Sequence, residues 1–173
     1  MILAQAVDAP IVNMHLPRGV HITLPETRVD FHEAYREETL EAARDLRNMT
    51  DRLLGGSGVR LTVENTDGWT AFEKSLVDFL LESPNFGLTL DIGHCHAAGN
   101  ADLPFFLDRR DRLAHMHAHD AQGCRCHLAL GDGEIDLAAY FALSADTGAR
   151  VVLETKTIAA LRTSVDRLPD FLA

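Results

Sequence analysis

The stretch GLTLDIGHCH, residues 87–96, decides how the rest of the chain is interpreted. It begins with an alternation of apolar and polar residues that is typical of a β-strand. It ends with three polar side chains close together: Asp91, His94 and His96. A polar turn and a metal site would both explain this ending. The other strands of the chain must therefore decide between them.

Segments with strand patterns alternate with segments with helix patterns along the whole chain. Residues 31–54 show the helix pattern, because their apolar positions follow helical spacing and Gly55 and Gly56 come directly after them. Regular alternation of this kind predicts an α/β fold with a parallel sheet and helices outside it. The predicted strands are 11–16, 59–65, 87–93, 112–117 and 149–155, and the predicted helices are 31–54, 69–83, 103–110, 135–148 and 157–172.

Four of the predicted strands carry a polar side chain near their C-terminal end, on the face opposite their apolar residues. In parallel α/β folds these strand ends lie at one edge, where ligands bind. Three carboxylates and an imidazole gathered there would shift one another's pKa values, and a divalent cation would relieve the repulsion. Oxygen ligands with one histidine suit manganese, magnesium or cobalt, and zinc becomes more favourable as more histidines join. The predicted metal ligands are Glu64, Asp91, His117 and Glu154.

The other histidines leave alternatives open. His94 and His127 could each bind the metal or contact a substrate, and His15 could be functional or serve in capping or packing. Three more are expected behind the metal ligands or at the surface: His96, His115 and His119.

The run Cys124-Arg125-Cys126-His127 could form a zinc clip. Cys95 is the only further cysteine of the chain, which disfavours that interpretation.

Composition and charge narrow the class of protein. A chain of 173 residues is long enough for one domain with a real core, and its net charge of −10 disfavours a surface for nucleic acid or anionic membrane. Three cysteines, an odd number, argue against a disulfide framework. The segment MILAQAVDAPIVNMHL has no basic start and carries Asp8, so it predicts neither a signal peptide nor a membrane span. We therefore expect a cytoplasmic protein that binds a small molecule.

Five short motifs, in order, resemble the xylose-isomerase-like TIM barrels. This group includes sugar-phosphate isomerases and epimerases, ketose 3-epimerases, hydroxypyruvate isomerases and metal-dependent apurinic-site endonucleases. The resemblance covers nearly the whole chain, and it is strong for the superfamily and weak for any one substrate. The motifs are VENT (63–66), LDIGHCH (90–96), HMHAHD (115–120), HLALGDGEID (127–136) and VLET (152–155).

The resemblance implies one divalent metal, with manganese as the first expectation and magnesium, cobalt or zinc as alternatives. Its ligands would be Glu64, Asp91, His117 and Glu154, and the two glutamates would also be the catalytic acid–base pair. The implied reaction is proton transfer next to a metal-bound carbonyl of a sugar or sugar phosphate. The residues expected to contact the substrate are His94, Arg125, His127 and His15.

One departure from the family pattern concerns the metal count. The endonucleases carry an additional zinc-binding aspartate two residues before the histidine of the H-x-x-L-G-x-G loop, and this chain has Arg125 there. His15, in contrast, matches a histidine that the endonucleases use. The arginine favours a one-metal site and could bind a substrate hydroxyl or phosphate. Together with the acidic charge it favours sugar chemistry over DNA repair.

A second departure concerns size, because a complete (β/α)8 barrel has eight strands and typically about 250 residues. The five predicted strands resemble the last five βα units, so residues 1–173 are expected to form a single, N-terminally shortened TIM-barrel domain. Its open edges would favour a homo-oligomer. Three functions stay open: a metal-dependent sugar isomerase or epimerase, an endonuclease-like zinc phosphodiesterase, and a non-catalytic barrel that binds metal or a partner chain.

Overall fold

The computed structural model describes residues 2–16 and 20–172, and helices separate the five strands that the sequence predicts. The strands are β1 (Ile11–His15), β2 (His21–Thr23), β3 (Arg28–Asp30), β4 (Arg60–Glu64), β5 (Phe86–Asp91), β6 (Leu113–Ala118), β7 (Asp120–Gln122), β8 (Arg125–Leu128) and β9 (Arg150–Leu153). The helices are α1 (Ile2–Ala6), α2 (Phe31–Ala34), α3 (Arg36–Leu54), α4 (Ala71–Leu81), α5 (Ile92–Ala97), α6 (Leu103–Asp108), α7 (Leu137–Thr147) and α8 (Ile158–Arg167).

Five strands form one sheet in the order β1-β4-β5-β6-β9. The fold is α/β, and this parallel sheet is that of an incomplete TIM barrel, which confirms the predicted fold class. Asp91 of β5 lies opposite His117 of β6, and His117 lies opposite Val152 of β9. This register brings the C-terminal ends of three neighbouring strands to the same level, as the sequence pattern predicts.

The chain divides into two compact units. The first ends at Val63 and adds Thr70–Phe86, and the second consists of Glu64–Trp69 and the residues from Gly87 onward. The single-domain organisation predicted for residues 1–173 stays a prediction.

In the first unit, α3 packs against α4, and the apolar side chains Leu54, Val77 and Leu80 are almost completely buried. The hydroxyl of Thr70 accepts a hydrogen bond from the Glu73 N–H at 3.2 Å, and the Glu73 carboxylate accepts one from the Thr70 N–H at 2.7 Å. This reciprocal capping fixes where α4 begins.

In the second unit, the predicted apolar faces of β5 and β6 are completely buried. Leu88, Leu90, Met116 and Ala118 have no exposed surface. Burial of such apolar surface is the main force that holds a sheet against its helices. The opposite face of both strands is thereby left to the polar side chains.

Three local features differ from the sequence-based expectation. The long helix predicted over 31–54 is interrupted at Tyr35, which leaves the helical conformation, and a short antiparallel hairpin of β2 and β3 precedes it. The strand predicted over 87–93 ends at Asp91, because the carboxylate of Asp91 accepts the His94 N–H at 2.7 Å and caps α5. His94 therefore lies on a helix and not in an open turn.

The segment before the predicted helix 135–148 was expected to be a loop, and part of it is strand β8, paired with β7. Asp120 organises the loop between β8 and α7. Its two carboxylate oxygens accept the backbone N–H groups of Ala121, Gly131, Gly133 and Ile135 at 2.8 to 3.2 Å. A side chain at Gly133 would come within 2.4 Å of this carboxylate, so only glycine fits there.

Within residues 2–16 and 20–172, none of the helices combines the length and the apolar character that crossing a membrane requires.

Candidate metal centre

The second unit brings together the four side chains predicted to bind a metal. Glu64 is the last residue of β4, Asp91 is the last residue of β5, His117 lies near the end of β6, and Glu154 directly follows β9. One potential ligand atom from each lies within 4.8 Å of those of the others. We call these four residues the carboxylate cluster.

The imidazole of His117 lies at the centre of the carboxylate cluster. Its Nδ1 is 2.8 Å from a carboxylate oxygen of Glu154, 3.0 Å from one of Glu64 and 3.8 Å from one of Asp91. A single ring nitrogen can donate only one hydrogen bond, so Nδ1 cannot satisfy the three carboxylates that surround it. A cation at this place would interact with all four groups at once.

The electrostatics of His117 reflect this crowding. Burial lowers the pKa of an imidazole, but the hydrogen bond to Glu64 and the negative charges of Glu64, Glu154 and Asp91 outweigh that effect and raise the pKa of His117. The carboxylate cluster thus favours positive charge at its centre. His115, two residues earlier, shows the opposite behaviour, because burial and the neighbouring His117 lower its pKa to about 4.

Asp91 is held by contacts that leave one of its oxygens directed at His117. The side-chain amide of Asn65 donates to the Asp91 carbonyl at 3.0 Å and accepts the Asp91 N–H at 2.9 Å. Burial raises the pKa of the Asp91 carboxyl, but hydrogen bonds from His119 and from the His94 N–H outweigh it, so the pKa is lowered. Asp91 is therefore a buried, ionised carboxylate, as a metal ligand must be.

His119 is the residue at this site whose contribution the sequence did not reveal. It is completely buried, and its Nε2 lies 3.0 Å from an oxygen of Asp91. Its Nδ1 accepts the backbone N–H of His127 at 2.8 Å, so Nδ1 carries the lone pair and the proton is assigned to Nε2. The sequence placed His119 behind the ligands or at the surface, and the structure places it behind Asp91.

His94, His119 and His127 form a second group, which we call the histidine cluster, whose potential ligand atoms also lie within 4.8 Å of one another. Both ring nitrogens of His119 are engaged in the contacts above. His127 has its Nδ1 3.3 Å from the main-chain oxygen of Glu154, which leaves its Nε2 as an acceptor. Burial and the neighbouring His119 lower the pKa of His127, so this imidazole is neutral near pH 7.

Two residues of the histidine cluster, His94 and His127, line a cavity of about 420 Å³. The cavity is also lined by Thr66, Ala98, Cys126 and Lys156. The cavity is large enough for a small polar molecule that contacts these two imidazoles.

Two of the residues predicted to contact the substrate, Arg125 and His15, belong to neither cluster. Arg125 is an exposed residue of β8, and in the described part of the chain its guanidinium makes no ion pair. His15 is the exposed last residue of β1 in the first unit. His96 pairs with Glu134 at 3.0 Å. The roles predicted for Arg125 and His15 stay predictions.

The donor set of the carboxylate cluster fits a divalent cation. Three carboxylate oxygens and one imidazole nitrogen are the mixture that manganese, magnesium, cobalt and zinc accept. Glu64, Asp91, His117 and Glu154 would hold the ion. In the histidine cluster, Nε2 of His127 is a further nitrogen that could bind an ion, and Nε2 of His94 lies 4.0 Å from a carboxylate oxygen of Asp91.

Comparison with known proteins identifies the class. A family model described as the xylose isomerase-like TIM barrel matches residues 1–171. The chain therefore belongs to that family, as its five motifs indicate.

Particular relatives and solved structures are similar to this chain over nearly its whole length. The chain is 28% identical over 183 residues to the uncharacterized protein MJ1614 of Methanocaldococcus jannaschii, covering 98% of this chain and 64% of that protein. A crystal structure of a D-tagatose 3-epimerase-like protein matches with a TM-score of 0.72 and 23% identity, over 98% of this chain and 64% of that one. The structure of IOLI protein with a zinc atom matches with a TM-score of 0.68 and 17% identity, over 98% and 65%. The chain thus spans slightly under two thirds of the length of these proteins.

Proposed function

We propose that this chain provides the metal centre of a divalent-metal-dependent isomerase or epimerase that acts on a sugar or a sugar phosphate. The observation that carries the proposal is the convergence of the Glu64, Asp91 and Glu154 carboxylates on Nδ1 of His117. The family membership and the fold shared with a D-tagatose 3-epimerase-like protein support the reaction class. Manganese is the ion we expect, because carboxylate-rich sites with one histidine favour it over zinc.

A bound divalent ion would acidify the carbon between a carbonyl and its neighbouring hydroxyl. The residues of the chain would then move the proton. Glu64 has 3% of its side chain exposed and Glu154 has 43%, so only Glu154 can readily exchange a proton with solvent. In this proposal both glutamates hold the ion, one removes the proton, and the other returns it.

The substrate would occupy the cavity that His94 and His127 line. His94 and the neutral His127 face that cavity and would hydrogen-bond to substrate hydroxyls. Arg125 and His15 are the further candidates for substrate contact. A neutral imidazole can donate from one nitrogen and accept at the other, which suits hydroxyl groups.

The first test is the metal content of purified protein, compared between wild type, Glu154→Gln and the control Glu26→Gln, an exposed residue outside the cluster. We expect about one manganese, cobalt or magnesium per wild-type and control chain and less in Glu154→Gln. Incubation with ketoses in D₂O should then incorporate deuterium at carbon, detected by NMR. Metal binding without deuterium incorporation would reject the catalytic part of the proposal and favour a barrel that only binds metal.

The histidine cluster is the structural observation that favours the second candidate, a zinc phosphodiesterase of the endonuclease type. That function needs a second ion, and His94 and His127 lie where one would bind. Arg125 and the engaged nitrogens of His119 oppose it. Two or more zinc ions per chain, together with cleavage of abasic DNA, would replace the isomerase proposal.

A further inference from the structure

The contacts of His119 connect Asp91 with His127, two residues that are far apart in the sequence. On one side its Nε2 lies 3.0 Å from a carboxylate oxygen of Asp91. On the other side its Nδ1 accepts the backbone N–H of His127 at 2.8 Å. A single ring that donates on one edge and accepts on the other therefore fixes Asp91 relative to His127.

The surroundings of His119 restrict the position of its ring. The side chain has no exposed surface, and a Cβ at Gly93 would come within 1.9 Å of its ring carbon. The ring also stacks on that of His127, with centroids 4.2 Å apart and an interplanar angle of 25°. Gly93 of the LDIGHCH motif is thus a glycine because His119 occupies the space of its side chain.

The backbone of His127 shows that the connection constrains the loop. His127 has a φ of 61°, in the left-handed region that a residue with a side chain rarely adopts. Such a conformation is strained and persists only where the surroundings enforce it. The hydrogen bond from the His127 N–H to His119 is one contact that enforces it.

We infer that His119 is a positioning residue that orients the Asp91 carboxylate for metal binding and holds His127 over the cavity. The inference rests on the proposed metal site but not on the identity of the substrate. Hydrogen-bonding partners behind a metal ligand typically change metal affinity by about 10–100-fold when they are removed.

The test compares His119→Gln, His119→Leu and Gly93→Ala with wild type by titration with Mn²⁺. Glutamine retains a donor and an acceptor, so we expect a loss of affinity below about threefold, whereas leucine, which has neither, should lose about 10–100-fold. Gly93→Ala should resemble His119→Leu, because it displaces the ring. His96→Gln is the control, since His96 pairs with Glu134 and not with Asp91.

The thermal stability of each variant separates positioning from general support of the fold. A residue that only supports the fold would lower the melting temperature and leave the affinity of the folded protein unchanged, which would overturn the inference. Absence of Mn²⁺ binding by folded wild-type protein would instead reject the proposed metal site and this inference together.

Nitrogen chemical shifts of the His119 ring in metal-free wild-type protein give a second measurement that requires no variant. We expect the tautomer with the proton on Nε2. A proton on Nδ1 would overturn the inference, because the His127 N–H could not then be accepted.

Discussion

Two groups of side chains in the second unit place their potential ligand atoms equally close together, within 4.8 Å, but they differ in the hydrogen bonds those atoms already make. In the carboxylate cluster three carboxylates converge on Nδ1 of His117, which can donate only one hydrogen bond. In the histidine cluster the two nitrogens of His119 are both engaged. Proximity of potential ligand atoms therefore does not by itself define a metal site. An atom is available to a metal only if it is not already engaged in a hydrogen bond.

The largest expected effect is the loss of the central ligand. His117→Gln should lower the affinity for Mn²⁺ by more than about 100-fold, or roughly 3 kcal/mol, because it removes the atom on which three carboxylates converge. Isothermal titration calorimetry measures this. His115→Gln, two residues earlier on β6, should stay within about threefold of wild type. Equal losses in both variants would mean that β6 as a whole, and not the ligand, is responsible.

The next effect is a dependence of metal binding on pH. The pKa of His117 is raised, so in the metal-free protein the ring is protonated below that raised pKa and must lose its proton to bind metal. Affinity should fall about tenfold per pH unit below this pKa and level off above it. Calorimetry below this pKa, in two buffers of different ionisation enthalpy, should show about one proton released, and calorimetry above it should show none. A pH-independent affinity with no proton release would contradict the assignment of His117 as a ligand.

The same shift has the opposite sign for the stability of the metal-free protein. A raised pKa in the folded state contributes stability that is complete below the unfolded value of about 6.5 and is lost as pH rises through the folded pKa. Saturating Mn²⁺ should reverse this trend. His117→Gln should abolish both trends in thermal unfolding.

A smaller effect concerns the strained backbone of the histidine cluster. His127→Gly and His127→Ala both remove the ring and its stacking on His119, but only glycine adopts a φ of 61° without strain. We expect the glycine variant to be more stable than the alanine variant by about 1 kcal/mol. Urea unfolding measures the difference. An alanine variant as stable as the glycine variant would show that the loop relaxes once the ring is gone.

The smallest expected effect is the most direct test of the difference between the carboxylate cluster and the histidine cluster. The double variant His94→Gln/His127→Gln should bind one Mn²⁺ with an affinity within about threefold of wild type, because neither residue belongs to the carboxylate cluster. If the protein turns over a ketose, kcat/KM should fall, since both residues face the cavity. A second zinc ion that binds to the wild-type protein but not to this variant would favour the two-metal alternative.

The sequence predicted the carboxylate cluster because the signal is periodic. Alternation places Thr89 and Asp91 on one face of β5 and Leu88 and Leu90 on the other, and parallel strands end at a common level. The same alternation assigned His117 and Glu154 to the polar face near the ends of their strands. Strand alternation also predicted the α/β fold, and the five motifs predicted the family.

The sequence did not predict the contacts that join distant segments. His119 reads as one more residue of a histidine-rich strand, and nothing local indicates that it donates to Asp91, 28 residues earlier. The hairpin of β7 and β8 was also missed, and so was the role of Asp120, whose carboxylate accepts four backbone N–H groups, three of them in the loop after β8. Gly93 of LDIGHCH is a sequence signal for this contact, because a glycine at the start of a helix can indicate a close neighbour, here His119.

The sequence by itself thus determined the fold class, the family and the four residues of the carboxylate cluster, because these follow from periodicity and from the order of motifs. Only the tertiary structure decided which atoms are available. It showed that the nitrogens of His119 are occupied, that His94 lies on α5, and that His127 is held in a left-handed conformation. The physical reason is that a donor or acceptor can be used once, and its partner comes from a part of the chain that local pattern does not specify.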